Sequence, residues 1–261
     1  MSAFQALIMG ILQGLTEFLP VSSSAHLKLS KLLLGVAEGD NLVVFDLVCH
    51  LGTLVALLLF LRTDIVTLFR TDRKRLWMIL VATIPLFPFY FLLKPLRDWA
   101  SQASFLGIFL IVTSFILFIG SRIRISRPEA PTLKHQMRDS LWIGIMQAAA
   151  LIPGISRSAS TISCAHVLGW SARDAVRFSF LLSVPTILGG NSVELLKIFL
   201  SPSSQSTNLG VSSCLIGFFG ACSVGFIVIR FAVRILEKGD LRPFAWYCLA
   251  LGLITTLCLT I

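Results

Sequence analysis

Charge is scarce in this sequence: Asp, Glu, Lys and Arg make up 13% of its 261 residues, against 56% hydrophobic residues. That is roughly half the charged share of an ordinary soluble domain. The scarcity excludes a water-soluble fold, and the composition suits lipid as the solvent. Paired cysteine motifs are also missing. Cys49, Cys164, Cys214, Cys222, Cys248 and Cys258 all lie in apolar stretches with no CxxC spacing. Neither a disulfide framework nor a zinc site is suggested, and the thiols read as small hydrophobes in packed helices. No Gly-Lys-Ser/Thr phosphate loop and no HExxH occur, so nucleotide-driven transport and zinc hydrolysis find no support. The N-terminus lacks a basic n-region and an evident cleavage site, and is expected to stay in the mature protein.

Long apolar runs are what the sequence has instead. A bilayer-spanning helix needs about 20 mostly apolar residues. Six segments qualify: Leu42–Leu61, Leu76–Leu93, Ser104–Gly120, Phe178–Leu195, Val211–Phe231 and Pro243–Ile261. Two more are apolar but broken. Phe4–Leu34 is interrupted at Leu19-Pro20-Val21-Ser22-Ser23-Ser24, and Leu141–Trp170 at Ile152-Pro153-Gly154-Ile155-Ser156-Arg157-Ser158. Proline removes a backbone donor and serine offers competing local hydrogen bonds, so both read as helix breaks. The halves are too short to cross at about 1.5 Å per residue, which predicts two re-entrant hairpins.

The net charge of +9 would suggest nucleic acid in a soluble protein. Here the basic residues fall between apolar runs, so the charge is topological and no nucleic-acid partner is expected. Basic residues cluster in four places: Leu61–Leu76, Gly120–Ser140 (which includes Arg127), Arg173 with Arg177 before Phe178, and the region around Arg230–Arg242. These groups hold sixteen of the 22 Lys and Arg residues. The loop near 94–103 has only Lys94 and Arg97, and Ser201–Gly210 has none. The four groups are therefore assigned to the cytoplasm. It follows that the first hairpin enters from outside and the second from inside. The expected fold is an all-α polytopic membrane protein: one integral membrane domain, 1–261, with an inverted-topology repeat. Its halves, 1–121 and 139–261, are each a re-entrant helical hairpin followed by three transmembrane helices, with the hairpin tips meeting near the midplane. A sequence echo agrees: Gln13 precedes Pro20 and Ser22-Ser23-Ser24-Ala25, as Gln147 precedes Pro153 and Ser156-Arg157-Ser158-Ala159.

Polar residues inside such a chain are costly and mark function by default. The first hairpin carries Gln13, Glu17, Ser22, Ser23, Ser24 and His26; the second carries Ser156, Arg157, Ser158, Ser160 and Thr161. Gln13 and Glu17, four apart, share a helical face. Pro153-Gly154-Ile155-Ser156-Arg157-Ser158 resembles an anion cradle. Gly154 lets backbone approach a ligand, a following half-helix directs N–H groups and its positive end, and Arg157 forks onto phosphate oxygens. The bland alternative is that Arg157 only pairs with Glu17 to hold the hairpins together. Asp46 and His50, four apart on a span, could line the cavity or join a structural network. His166 is expected to be structural.

The run Gln13-Gly14-Leu15-Thr16-Glu17-Phe18-Leu19-Pro20-Val21-Ser22-Ser23, with His26 beyond it, resembles the (E/Q)xxxE signature of the bacterial undecaprenyl-diphosphatase, or bacitracin-resistance, family. Pro153-Gly154-Ile155-Ser156-Arg157-Ser158-Ala159-Ser160-Thr161 matches the family's PGxSRSxxT at every specified position. The resemblance covers the whole chain. It implies hydrolysis of undecaprenyl diphosphate to undecaprenyl phosphate and inorganic phosphate, which recycles the lipid carrier for peptidoglycan and confers bacitracin resistance. It also implies a bacterial cytoplasmic membrane location, a site open to the outside, and compatibility with a homodimer. Gln13 stands where many members have Glu, which puts metal dependence in doubt, and Ser24-Ala25 replaces a common Thr-Gly.

The expected roles follow. Glu17, His26, Ser23 and Arg157 are catalytic. Gln13, Ser22, Gly154, Ser156, Ser158, Ser160 and Thr161 bind substrate. Glu17 is the candidate ligand for Mg²⁺ or Ca²⁺, and no organic cofactor is expected. Either Ser23 attacks, with His26 as base and Glu17 orienting it, or His26 activates water or attacks directly. A carrier that flips undecaprenyl phosphate is the alternative function. It would need Arg157 but neither Ser23 nor His26.

Overall fold

A computed structural model describes residues 1–36, 40–126, 132–200 and 210–260. Arg127, most of the Ser201–Gly210 loop and Ile261 lie outside the described residues. The chain runs through α1 (Ala3–Thr16), α2 (Ser23–Leu33), α3 (Asp40–Phe60), α4 (Arg62–Arg70), α5 (Arg73–Thr83), α6 (Leu86–Leu92) and α7 (Lys94–Ala100). It continues through α8 (Leu106–Arg122), α9 (Leu133–Ala149), α10 (Arg157–Val167), α11 (Ala172–Leu200), α12 (Val211–Leu236) and α13 (Arg242–Thr260). No strand occurs among the described residues.

Six stretches are long and apolar enough to cross a membrane: Leu42–Phe60, Arg73–Leu92, Ala103–Arg122, Ala172–Leu200, Val211–Leu236 and Arg242–Leu259. Each contains most of one expected span. The helices overrun the apolar windows because polar turns extend them without breaking hydrogen bonding: α11 begins six residues before Phe178 and carries Pro185 inside it. The expected single span Leu76–Leu93 is two helices, α5 and α6, interrupted at Ile84-Pro85, where proline cannot donate to the preceding turn. The basic connections are also more helical than expected. Arg62–Arg70 is a helix, and α9 starts at Leu133, inside the expected loop, because Thr132 Oγ1 caps the His135 amide. Outward-facing Phe87, Phe91 and Phe199 are each more than two-thirds exposed. Such side chains form the apolar coat that a hydrocarbon solvent favours.

Both broken segments are helix–break–helix units, of 14 and 11 residues and of 17 and 11 residues. Ser22 stands just before α2 and Ser156 just before α10. Gln13 and Gln147 precede those serines by equal stretches of chain.

Small residues bring the helices together. α1 lies on α12, α9 on α5, α8 on α13, and α3 on both α11 and α12. A methyl group added at Gly10 would sit 2.5 Å from the Gly217 carbonyl oxygen, and one at Gly14 2.8 Å from that of Ala221. Gly144 meets the Ala82 carbonyl in the same way, and Gly107 faces Gly252. Lipid supplies no hydrophobic drive between apolar helices, so close backbone approach and dispersion hold them. Gly14→Ala is therefore expected to cost about 1–3 kcal/mol through overpacking. Gly189→Ala, where an added methyl meets nothing within 4 Å, is expected to cost nothing. Melting curves of the two variants in detergent check the contrast.

Candidate functional site

The two breaks meet. Ser158 Oγ donates to the Leu19 carbonyl at 3.1 Å, and the Gly154 amide reaches Ser24 Oγ at 3.5 Å. Each tip is also moored to a span. Cys248 Sγ approaches the Pro20 carbonyl at 3.7 Å, securing the first tip to α13. In α8, Thr113 Oγ1 donates to the Gly154 carbonyl at 2.9 Å and accepts the Ser156 amide at 3.1 Å, securing the second. Gly154 has φ +99°, and a methyl group there would lie 2.6 Å from Phe109 Cβ. Its freedom is used to turn the chain tightly against α8. Ser22, at φ 69°, is the one non-glycine residue with positive φ among the described residues, a strained conformation at the start of α2.

Glu17 sits at this junction, 7% exposed, at the C-terminus of α1. One carboxylate oxygen accepts from Ser23 Oγ at 2.7 Å and from Gln13 Nε2 at 3.0 Å. The other accepts from Arg157 Nη2 at 2.8 Å. His50 Nε2 stands 3.8 Å away. A carboxylate and a guanidinium this deep require one another, and removing either partner typically costs about 3–5 kcal/mol.

Both half-helices start at the junction. α2 begins at Ser23 and α10 at Arg157, so two positive helix ends converge there. A helix start leaves its first amides without intrahelical carbonyls. In α10 the Ser156 side chain caps the Ala159 amide at 3.2 Å, and the Ser156 amide itself is taken by Thr113. The amides of Arg157 and Ser158 are those left to face an anion, rather than that of Ser156.

His26 is held at both ring nitrogens. Nδ1 is 2.8 Å from the Ser22 carbonyl, which can only accept, so Nδ1 carries the proton. Nε2 then holds a lone pair and accepts from the Tyr247 hydroxyl at 2.7 Å. The triad order Ser23–His26–Glu17 is therefore not the bonded order here: Ser23 donates to Glu17 directly, and His26 bonds to Ser22 and Tyr247.

The remaining expected residues divide. The Ser156 and Ser158 hydroxyls bond to each other at 3.2 Å and build the tip. Ser160 Oγ returns to the Ser156 carbonyl, and Thr161 Oγ1 bonds the Arg157 carbonyl and Ser179. These two hydroxyls brace α10 instead of facing the junction. Ser22 Oγ pairs with Ser24 Oγ at 3.2 Å. Asp46 pairs with Lys31, while His50 turns Nδ1 to the Asp46 carbonyl and Nε2 toward Glu17.

Thr113 and Tyr247 escape a motif reading because each lies in an apolar span far in sequence from the two breaks. The signal for Tyr247 was its rarity, since the chain has 2 tyrosines. No group of three or more His, Cys, Asp or Glu that could hold a metal occurs among the described residues. Gln13 Oε1, however, is buried without a partner beside the Glu17 carboxylate. An orphaned oxygen next to a carboxylate suits a hard divalent cation.

A sequence profile of the family described as bacitracin resistance protein BacA matches residues 6–254. The chain is 38% identical over 257 residues to an undecaprenyl-diphosphatase of Protochlamydia amoebophila, covering 98% of both chains. It is 38% identical over 257 residues to one of Carboxydothermus hydrogenoformans, covering 97% of this chain and 95% of the relative. An undecaprenyl-diphosphatase of Methanobrevibacter smithii is 34% identical over 281 residues, with 97% and 96% covered.

Thr113→Val would remove both bonds that moor the second tip and leave a buried carbonyl and amide unpaired. The expected cost is about 2–4 kcal/mol, read as a lower melting temperature in detergent. Thr113→Ser, which keeps the hydroxyl, should recover most of it.

Proposed function

Given that the chain belongs to the bacitracin resistance protein BacA family, we infer that the junction of its two helix breaks is where it hydrolyses undecaprenyl diphosphate. The chain is a membrane enzyme, an undecaprenyl-diphosphate phosphatase. It releases undecaprenyl phosphate and inorganic phosphate, and so returns the lipid carrier to peptidoglycan synthesis. Hydrolysis is favoured over carriage, because the relatives bear a hydrolase name. The observation that carries the site assignment is Glu17 bound at once to Ser23 and Arg157 where two helix N-termini converge.

Phosphoryl transfer needs positioning and charge neutralisation more than elaborate covalent chemistry. Arg157 forks onto the terminal phosphate, and the Arg157 and Ser158 amides hold the same group. Arg157 keeps its Nη2 bond to Glu17 and has further N–H donors for the phosphate, while Glu17 stays ionised to accept a proton. Ser23 Oγ attacks the terminal phosphorus and passes its proton to Glu17. The anhydride P–O bond breaks, and undecaprenyl phosphate leaves with the bridging oxygen, a good leaving group that needs little acid help. The water that attacks the seryl phosphate then passes a proton through the Tyr247 hydroxyl to His26 Nε2. Ser23 recovers its proton from Glu17 as inorganic phosphate departs. Tyr247 positions His26.

A divalent cation belongs to the same proposal. Gln13 Oε1 and Glu17 would hold Mg²⁺ or Ca²⁺, which would neutralise phosphate charge. The inverted repeat is supported by helix pairing: α1 on α12 matches α9 on α5, while α8 with α13 and α3 with α11 are the self-matched pairs. On that reading 1–121 and 139–261 are the two halves, and both breaks are tips of re-entrant hairpins. Lys28 of α2 donates to the Ser101 carbonyl, near the end away from the basic connections. This supports a first hairpin entered from outside the cytoplasmic membrane and a site open to that face.

Four outcomes test the chemistry. Phosphate release from undecaprenyl diphosphate should fall about 10²–10⁴-fold in His26→Ala. That variant should accumulate acid-stable phosphate on Ser23. Acid-labile phosphate, or full turnover by Ser23→Ala, would transfer the attack to His26 or to water. Chelator should suppress wild-type release, and Gln13→Glu should raise apparent affinity for the cation by about tenfold.

A further inference from the structure

At the end of the molecule that carries the basic connections, a polar cavity of about 260 Å³ opens where α8, α10, the start of α11 and the α12–α13 turn meet. Arg122, Arg124, Lys238 and His166 line it. It is a built pocket rather than a loose patch. The Ile125 amide donates to the Val167 carbonyl at 2.8 Å, and Arg124 Nη2 to the Trp170 carbonyl at 3.1 Å, which fixes the chain after α8 across the end of α10. Gly239, at φ +82°, turns the chain between α12 and α13 beside Ala172.

Three cations at the cytoplasmic end of spans would by themselves reflect only topology. His166 is different. It is 8% exposed, and its Nε2 is buried with no partner. The acids around it in the chain face other groups: Asp139 bonds the Trp170 indole, Asp174 bonds Ser171 and stands 3.7 Å from Arg75, Glu237 stands 3.9 Å from Arg173 and 3.6 Å from Arg177, and Asp240 pairs with Arg242. A buried unpartnered nitrogen among cations points to a ligand that bonds it. The neutral ring with its proton on Nδ1 offers Nε2 as an acceptor. The complementary ligand is an anion that also carries a hydroxyl proton.

We propose that this pocket binds a hydrogen-phosphate group, either free inorganic phosphate or the monoester headgroup of a lipid phosphate. Arg122, Arg124 and Lys238 neutralise its charge, and the P–OH proton goes to His166 Nε2. Sulfate has no proton to give at neutral pH, and phosphodiester lipids have none either, so both are rejected. The site lies about 13 Å along α10 from Arg157 at 1.5 Å per residue, and it is separate from the hydrolytic junction.

The test uses full-length protein in detergent with isotopically labelled histidine rings. The His166 signal is identified by its loss in His166→Gln. At constant ionic strength, inorganic phosphate, sulfate, a short prenyl phosphate and a phosphodiester lipid are titrated separately. The expected result is a saturable shift of the His166 signal with inorganic phosphate, prenyl phosphate or both, weakened about tenfold or more in Arg122→Ala/Lys238→Ala. Response to inorganic phosphate assigns the free ion as a ligand, and response to prenyl phosphate alone assigns the headgroup. No response to either, an equal response to sulfate, or an undiminished response in the double variant overturns the proposal. Unchanged hydrolysis by the double variant is expected and shows that it folds.

Discussion

The ion pair between Glu17 and Arg157 is the constraint on which the rest of the structure depends. Their carboxylate and guanidinium meet at 2.8 Å, although 140 positions separate them in the chain. Neither could be buried alone among apolar helices, because an unpaired ion in a low-dielectric interior costs several kcal/mol. Each makes the other tolerable, so the two breaks that carry them must meet. The same pair leaves a junction suited to the proposed phosphoryl transfer: a cation beside orphan amides, and a carboxylate bonded to the Ser23 hydroxyl.

Bringing two irregular turns together inside an apolar protein requires that little else near them be polar and unpaired. The hydroxyls do this work. Ser158 bonds the opposite tip, Ser156 caps its own helix, and Thr113 satisfies both a carbonyl and an amide of the second turn. Around them, Gly10, Gly14, Gly107 and Gly144 allow backbones to approach closely. Most polar groups of the two breaks are thus paired with one another or with α8. The electrostatic field there comes from fixed groups, namely Arg157 and the starts of α2 and α10, which need not reorganise as charge moves.

Much of this was legible in the sequence, for physical reasons. Hydrocarbon thickness sets the length of an apolar span, so six windows were recognisable without tertiary information. Pro20 and Pro153 beside clustered serines announced the breaks, and an isolated Glu and Arg in apolar surroundings announced each other. What could not be read was geometry that depends on rotation between helices. Tyr247 bonds His26 across 221 positions, and Ser114 donates to the Ala245 carbonyl across 131. No local pattern encodes either. The bond made by Ser23 is hidden for the same reason: Ser23 and His26 stand three apart at the start of α2, yet Ser23 Oγ donates to Glu17. Ser160 and Thr161 belong to the second motif by sequence, yet their hydroxyls bond within α10 and to Ser179. They match a signature while acting as braces.

The central claim is that a planar, forked cation at position 157, paired with Glu17, holds the diphosphate for attack. Its most direct test is phosphate release from undecaprenyl diphosphate by purified Arg157→Lys in detergent, measured alongside affinity for a non-hydrolysable diphosphate analogue. Lysine keeps the charge but not the fork. The account predicts a fall in turnover of roughly 10²-fold or more together with weakened analogue binding, in a protein that still folds. Near-normal turnover and undiminished binding in Arg157→Lys would contradict it.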